Sequence, residues 1–324
     1  MFEKIVELIE QYDSIVIFGH LNPDGDCYGS AIALKQTLKL KYPHKKIYIT
    51  GSGLKEFFKF LYPMDKVTIE TIEKSLALIL DANDFSRMED KRIRFAKAFA
   101  KIDHHVDSGF FTEGPSYVDE YANSTCELIY AMMKENDYPI NEKIANALYL
   151  GIVTDTGHFQ FVNNYPETFA LVSYLCANGA KPKAIDAILN MREEKTLKTK
   201  GYILSNYKKT NGGALYIVFT KEVIRKLDSS TNEMSSMVNL IGNVINYPVW
   251  VSFAEYNDGK VRLEIRSNGP VIQPVALRVG GGGHQFAAGA TLPVLTNEII
   301  KEVMDDVDRE IENWRKNNSC GKKN

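Results

Sequence analysis

Short apolar segments alternate with amphipathic segments along residues 1–180. The short segments are rich in Val, Ile and Leu, as buried strands are, and the longer ones repeat apolar residues every three or four positions, as helices do. The predicted strands are 14–18, 46–50, 76–80 and 98–102. The predicted helices are 28–40, 55–61, 124–135, 142–153 and 167–178. This alternation predicts an α/β fold with a mostly parallel sheet and flanking helices.

The pattern changes in the second half of the chain. Residues 181–211 are richer in Lys, and within them 183–207 are predicted to form helices that join two domains. Beyond them, Asn257-Asp258-Gly259 indicates a tight hairpin turn, and Asn297 is the predicted N-cap of a closing helix. The predicted elements here are strands 214–220, 249–256 and 260–266 and helices 271–279 and 297–314. We predict a first domain over residues 1–185 and a helical linker over 186–212. A smaller α/β domain follows over 213–318, and 319–324 form a polar tail.

Composition and net charge exclude several classes of protein. The net charge of -2 provides no overall attraction to a long polyanion, which excludes a protein that grips extended DNA or RNA. The four cysteines form no Cys-x-x-Cys pair, which argues against a disulfide framework and a thiolate zinc site. No apolar segment approaches the roughly 18 residues of a membrane span, and residues 1–12 predict an amphipathic helix. We therefore expect a cytoplasmic protein without a membrane segment.

Acidic and imidazole side chains follow the predicted strands. His20, Asp24 and Asp26 lie in a turn after the first strand, where Pro23 and Gly25 break the regular backbone. The carboxyl ends of strands in open α/β sheets are the expected place for a ligand site. An ordinary polar turn leading into a helix explains this segment equally well when it is considered alone.

Three further segments carry the same kinds of side chain. Asp81 ends the apolar segment 76–80, with Asp84 as the alternative for the same role, and Asp155 ends a predicted helix. Asp103-His104-His105 follows another strand, and two adjacent imidazoles on a strand cannot both face one point. We therefore expect one of the two histidines to be a metal ligand and the other to face a substrate.

The combined donor set predicts a metal centre. It contains carboxylate oxygens and imidazoles without thiolates, which suits Mn²⁺, with Mg²⁺ or Co²⁺ as alternatives. Six donors exceed the needs of one ion with open positions and suit two ions that share a carboxylate. Two ions roughly 3.5–4 Å apart can activate water and neutralise a phosphoryl group during in-line attack. The predicted ligands are His20, Asp24, Asp26, Asp81, His104 and Asp155.

A Gly-rich segment in the second domain predicts an anion site. Gly280 to Gly283 precede His284, and backbone N–H groups of consecutive glycines can approach an anion closely. Arg266, one element upstream, offers a planar fork for phosphate, although a solvated strand-end arginine is an equally good explanation. The predicted substrate contacts are Arg266, Gly281, Gly282, Gly283 and His284.

Together these segments resemble the four ordered motifs of the DHH phosphoesterase family. The matching motifs are His-x-x-Pro-Asp-Gly-Asp-x-x-Gly-Ser from His20, Asp81, Asp103-His104-His105 and Asp155. The Gly-Gly-Gly-His segment resembles the C-terminal substrate domain associated with that family. The most similar branch contains nanoRNases that also act on 3'-phosphoadenosine 5'-phosphate (pAp).

The resemblance implies an active site between two domains and a role for each residue. One Mn²⁺ would be held by His20, Asp24 and Asp81. The second would be held by Asp26, Asp81, His104 and Asp155, with Asp81 bridging. Asp103 would orient the histidine pair, and His105 would contact the scissile phosphate. The implied substrates are short RNA or DNA oligonucleotides, pAp or a dinucleotide, and a homodimer is left open.

Three other functions are weighed against hydrolysis of short oligoribonucleotides and pAp. A phosphodiesterase for cyclic di-AMP or its linear product would use the same residues. An inactive nucleotide- or RNA-binding regulator should have lost at least one metal ligand, whereas this chain keeps them all. A pyrophosphatase is disfavoured because that branch resembles only the first domain.

Overall fold

The computed structural model describes residues 1–82, 85–106, 109 and 111–320, with the backbone alone for 319 and 320. The chain divides into two compact units, Met1–Met191 and Arg192–Asn324. Among the helices of the described ranges, none combines the length and the apolar content that a membrane span requires.

The first unit is built on a five-stranded parallel sheet. Its strands are β1 Ser14–Phe18, β2 Lys46–Ile49, β3 Leu76–Leu80, β4 Ala98–Asp103 and β5 Ser116–Val118, in the order β2-β1-β3-β4-β5. Its helices are α1 Glu3–Gln11, α2 Gly25–Lys41, α3 Ile69–Glu73, α4 Thr125–Glu135, α5 Glu142–Asp155, α6 Tyr165–Ala177 and α7 Pro182–Leu189. The predicted α/β class with a parallel sheet and flanking helices is confirmed.

Alternate residues of the central strands face two separate hydrophobic cores. Leu76, Leu78 and Leu80 of β3 pack in the larger cluster with α2, α4 and α5, whereas Ala77 and Ile79 pack in a smaller cluster on the other face. Successive side chains of a strand point to opposite faces, so a strand covered on both sides is apolar throughout. Both faces of these strands are therefore buried, and the polar residues lie beyond the carboxyl ends of the strands.

Helices α2 and α5 approach each other closely beside that edge. A Cβ atom at Gly29 of α2 would lie 2.4 Å from the carbonyl oxygen of Ala147 of α5, and a Cβ at Gly25 would lie 2.2 Å from Thr154 Oγ1. Glycine at these two positions therefore permits the contact. The contact brings the start of α2 next to the end of α5.

The second unit contains a mixed six-stranded sheet. Its helices are α8 Glu194–Asn206, α9 Lys221–Lys226, α10 Thr231–Ser236, α11 Gln273–Arg278 and α12 Asn297–Cys320. Its strands are β6 Lys208–Lys209, β7 Ala214–Phe219, β8 Val249–Glu255, β9 Val261–Ser267, β10 Gly282–His284 and β11 Ala287–Leu292, in the order β10-β11-β9-β8-β7-β6. Strands β7 and β8 are parallel, and the other neighbouring pairs are antiparallel. The predicted hairpin turn at Asn257-Asp258-Gly259 is confirmed between β8 and β9.

Several local predictions are wrong. Residues 55–61 form only a short 3₁₀ turn, Lys55–Phe57, in place of a helix. Thr296, not Asn297, caps α12, because its Oγ1 accepts the N–H of Ile299 at 3.2 Å. Helix α12 continues past residue 314 to Cys320, into the predicted tail; residues 321–324 lie outside the described ranges.

Candidate active site

Three neighbouring strands deliver polar side chains to one edge of the parallel sheet. His20 follows β1, Asp81 follows β3, and Asp103 ends β4. Because β1, β3 and β4 are adjacent and parallel, their carboxyl ends lie side by side. The start of α2 adds Asp24 and Asp26, the end of α5 adds Asp155, and His104 and His105 follow β4. The alternative Asp84 lies outside the described residues.

One group of donors forms around His20. Its Nε2 lies 3.4 Å from Asp81 Oδ2 and 3.7 Å from Asp24 Oδ2. Its Nδ1 lies 3.0 Å from the carbonyl oxygen of Leu21, which favours the tautomer that carries the proton on Nδ1. The other oxygen of Asp24 caps α2 by accepting the N–H groups of Asp26 and Cys27, each at 3.0 Å. The N-cap therefore directs a second carboxylate oxygen towards His20.

A second group forms around His104. Its Nε2 lies 3.2 Å from Asp155 Oδ2, 3.5 Å from Asp81 Oδ1 and 3.9 Å from Asp26 Oδ2. Its Nδ1 lies 3.3 Å from the carbonyl oxygen of Ala122, so Nε2 faces the carboxylates. The two oxygens of Asp81 thus face different imidazoles, Oδ2 towards His20 and Oδ1 towards His104. This is the arrangement that a carboxylate shared by two cations requires.

Asp81 adopts an unusual backbone conformation. Its φ of 58° lies in the left-handed region, which side-chain-bearing residues seldom occupy and which Asp tolerates better than most. The strand therefore turns sharply at Asp81. Strained non-glycine residues of this kind concentrate at functional sites.

Burial and like charges dominate the electrostatics of this site. Burial, with the charges of Asp81 and Asp155 nearby, raises the pKa of the Asp26 carboxyl well above its usual range. Burial also raises the pKa of Asp155 to about 6, although the charge of His104 opposes this effect. Carboxylates that are buried together destabilise one another's charged forms. Divalent cations remove this repulsion, so the donor set fits a metal centre.

The start of α4 supports two buried carboxylates, Asp26 and Asp81. The backbone N–H groups of Thr125 and Cys126 donate to the two oxygens of Asp26 at 2.6 and 2.9 Å. The hydroxyl of Thr125 donates to Asp81 Oδ1 at 3.1 Å. Neither residue was predicted from the sequence, because backbone N–H contacts leave no residue-type signal and the Thr125 hydroxyl meets Asp81 only in the folded chain.

Asp103 holds His105 in place. Its Oδ1 lies 2.8 Å from His105 Nδ1 and accepts the backbone N–H of the same residue at 3.2 Å. This hydrogen bond raises the pKa of the His105 imidazole. The His105 side chain is 39% exposed, whereas that of His104 is 14% exposed. One histidine is therefore enclosed by carboxylates, and the other is accessible from solvent.

A cysteine also joins the site. The donor atoms of His20, Cys27 and Asp81 all lie within 4.8 Å of one another, as do those of Asp81, His104 and His105 and those of Asp26, His104 and Asp155. The predicted donor set, which contains no thiol, therefore leaves out a thiol that lies close to His20 and Asp81. The position of Cys27 next to Asp26 in the first turn of α2 is the signal that could have indicated it.

The Gly-rich segment of the second unit is a hairpin rather than a loop. Strand β10 pairs with β11, which pairs with β9, and the three strands line a cavity of about 510 Å³ beside Arg262 and Arg266. A Cβ at Gly281 would lie 2.2 Å from the carbonyl oxygen of Gly289, and one at Gly283 would lie 2.6 Å from that of Ala287. These glycines therefore permit close strand contact.

The charged groups of this cavity are partly paired. Arg266 Nη1 lies 2.8 Å from Glu264 Oε2 and also donates to the carbonyl oxygen of Ile265 at 3.0 Å. Gly282 has no atom within 4 Å of an added Cβ, and His284 is exposed at the end of β10. A phosphate bound by Arg266 would therefore compete with Glu264 for the guanidinium.

Comparisons with known proteins agree with this arrangement. Residues 14–152 match the model of the DHH family, N-terminal domain, and residues 211–316 match that of the DHHA1 domain. The chain is 32% identical to a bifunctional oligoribonuclease and PAP phosphatase NrnA from Bacillus subtilis, over 90% of this chain and 93% of the relative. It is 31% identical to a protein of the same name from Mycoplasma genitalium, over 95% and 97%.

A solved structure shares the fold across nearly the whole chain. It is that of an exopolyphosphatase-related protein from Bacteroides fragilis, with a TM-score of 0.79 and 24% identity over 95% of this chain and 96% of that one. The family models, the two relatives and the ordered motifs lead to one conclusion. The chain belongs to the DHH family of phosphoesterases and carries a DHHA1 domain in its second unit.

Proposed function

We propose that the chain is a Mn²⁺-dependent phosphoesterase that hydrolyses very short oligoribonucleotides to mononucleotides and pAp to AMP. The observation that carries this proposal is the position of Asp81, whose two oxygens face His20 and His104 separately. Two relatives that this chain covers almost completely bear the name of an oligoribonuclease and PAP phosphatase. The net charge of -2 also favours a short substrate over a long one.

The distances support two sets of metal ligands that share Asp81. The first set is His20, Asp24 and Asp81, and the second is Asp26, Asp81, His104 and Asp155. These residues would hold divalent ions, which would activate the attacking water as Lewis acids and neutralise charge on the phosphoryl group. Carboxylate and imidazole donors suit Mn²⁺, with Mg²⁺ or Co²⁺ as substitutes.

Residues outside these two sets act on the substrate. His105 contacts the scissile phosphate and transfers a proton to the leaving oxygen. Asp103 keeps the His105 ring oriented through Nδ1 and supports its protonated form, as its raised pKa indicates. In the second unit, Arg266, Gly281, Gly282, Gly283 and His284 bind the other phosphate or the terminal nucleotide.

Product analysis across four substrates tests the proposal. The purified chain with Mn²⁺ is incubated with pAp, an RNA dinucleotide, a long single-stranded RNA and cyclic di-AMP, and the products are separated by chromatography. We expect AMP from pAp, mononucleotides from the dinucleotide and little product from the long strand. Asp81→Ala serves as the inactive control, and chelation should abolish turnover.

Three outcomes would contradict the proposal. Rapid hydrolysis of cyclic di-AMP without hydrolysis of the RNA dinucleotide or pAp would assign the chain to cyclic dinucleotides. Binding without turnover, in both the chelated and the Mn²⁺-loaded protein, would indicate a regulator. Undiminished turnover after exhaustive chelation would remove the metal centre from the mechanism.

A further inference from the structure

The thiol of Cys27 lies among the metal-binding side chains of the first unit. Cys27 is only 3% exposed, in the first turn of α2 directly after Asp26. Its Sγ belongs to the group formed with a nitrogen of His20 and an oxygen of Asp81, whose members are mutually within 4.8 Å. Three donors from separate elements therefore converge on one point.

The surrounding backbone fixes the position of this thiol. The N–H of Cys27 donates to Asp24 Oδ1 at 3.0 Å, which anchors the residue within the capped start of α2. On the other side, a Cβ atom at Gly19 would lie 2.3 Å from Cys27 Sγ. The absence of a side chain at Gly19 therefore creates the space that the sulfur fills, immediately before His20 in the chain.

We propose that Cys27 Sγ is an additional ligand at the ion site of His20 and Asp81, and that it enables this site to bind thiophilic divalent ions such as Zn²⁺ and Cd²⁺. Thiolate and imidazole ligands select these softer ions, whereas a purely carboxylate and imidazole set suits Mn²⁺. On binding, the S–H bond breaks, the proton passes to solvent and a sulfur–metal bond forms without any change of oxidation state. The inference rests on the metal centre of the proposed function but not on its substrate.

The other described cysteines provide matched controls. Cys126 is equally buried, but its Sγ contacts the carbonyl oxygens of Asp26 and Ala147, at 3.8 and 3.9 Å, and it belongs to none of the three donor groups. Cys176 is exposed on α6, remote from Cys27 in sequence. Substituting Cys176 and Cys320 with Ser gives a background in which Cys27 and Cys126 are the remaining thiols.

The experiment titrates this full-length background protein with Cd²⁺ and follows the ultraviolet charge-transfer absorbance of thiolate-bound cadmium. We expect the band in the background and in Cys126→Ser, and its loss in Cys27→Ser. The affinity of Cys27→Ser for Zn²⁺ should fall about tenfold or more, because removing a ligand costs at least as much as removing a supporting residue. Its affinity for Mn²⁺, measured by electron paramagnetic resonance, should change far less.

Retention of the band in Cys27→Ser would overturn the inference. Cadmium NMR of the unsubstituted chain gives a test that needs no variant at the site. The inference is supported by a cadmium resonance in the range of sulfur ligation, provided that the Cys126→Ser protein shows it too. A spectrum that indicates only oxygen and nitrogen ligands overturns the inference. If the unsubstituted chain does not bind Mn²⁺ at all, the metal centre of the proposed function is refuted instead.

Discussion

Replacing Asp155 with Asn should stabilise the metal-free protein while weakening its metal site. Burial raises the pKa of this carboxyl from 3.8 to about 6, so above that pH the folded chain carries a charge that its surroundings disfavour. A difference of this size corresponds to about 3 kcal/mol at most. The side chain is 28% exposed, and solvent screening reduces the expected gain in the free energy of unfolding to about 1–2 kcal/mol.

The pH dependence of this gain follows from the direction of the shift. A raised carboxyl pKa means that the folded chain binds its proton more tightly than the unfolded chain does. The cost of the Asp155 charge is therefore absent below the unfolded pKa of 3.8 and complete above about 6. The advantage of Asp155→Asn should be full near pH 8 and about half as large near pH 5.

Urea unfolding of the chelated proteins, followed by far-UV circular dichroism, measures this difference. Saturating Mn²⁺ should reverse the order, because a ligand at about 100 times its Kd stabilises the wild type by about 2.7 kcal/mol, and the variant lacks one of the proposed metal ligands. Both tryptophans, Trp250 and Trp314, lie in the second unit, so their fluorescence reports separately on a unit that the substitution leaves intact. A chelated variant that is less stable than the wild type near pH 8, or an advantage that is equal at both pH values, would refute the electrostatic argument.

Three further substitutions separate metal binding, substrate binding and packing. Asp81→Ala should lose turnover and bound metal, measured by elemental analysis, because it removes the carboxylate that faces both His20 and His104 and is proposed to bridge two ions. His284→Ala should raise KM at unchanged metal content, and equal metal loss in the two variants would contradict the separate roles. Gly29→Ala should lower the free energy of unfolding by about 1–3 kcal/mol in a urea titration, because its Cβ would overlap Ala147. The control Gly201→Ala, in α8 with no atom near the added Cβ, should be neutral or stabilising.

The central strands, and the polar residues that lie together after them, could be predicted because their signals are local. Strands β1 and β3 have the predicted bounds, since a strand covered on both faces is apolar throughout and ends where polar residues begin. The same boundary identified Asp81, and the adjacent parallel strands explain why it meets His20 and His104.

Other features depend on tertiary contacts and leave weaker signals. Strand β5 has only three residues, Ser116–Val118, at the edge of the sheet and is not fully buried, so it lacks an apolar segment. Strand β10 consists of Gly282, Gly283 and His284, which have low strand propensity and are held by pairing with β11. The backbone contacts of Thr125 with Asp26 likewise arise only when α4 packs against α2.

The left-handed backbone conformation of Asp81 limits which residue types can occupy this position. A β-branched residue would meet a steric penalty at this φ, and glycine would adopt it freely but would contribute no oxygen. A conformation of this kind costs on the order of 1–3 kcal/mol, which must be offset by packing elsewhere in the unit. Asp81→Gly should therefore fold readily without the shared carboxylate, so stability and activity make opposite demands on this one position.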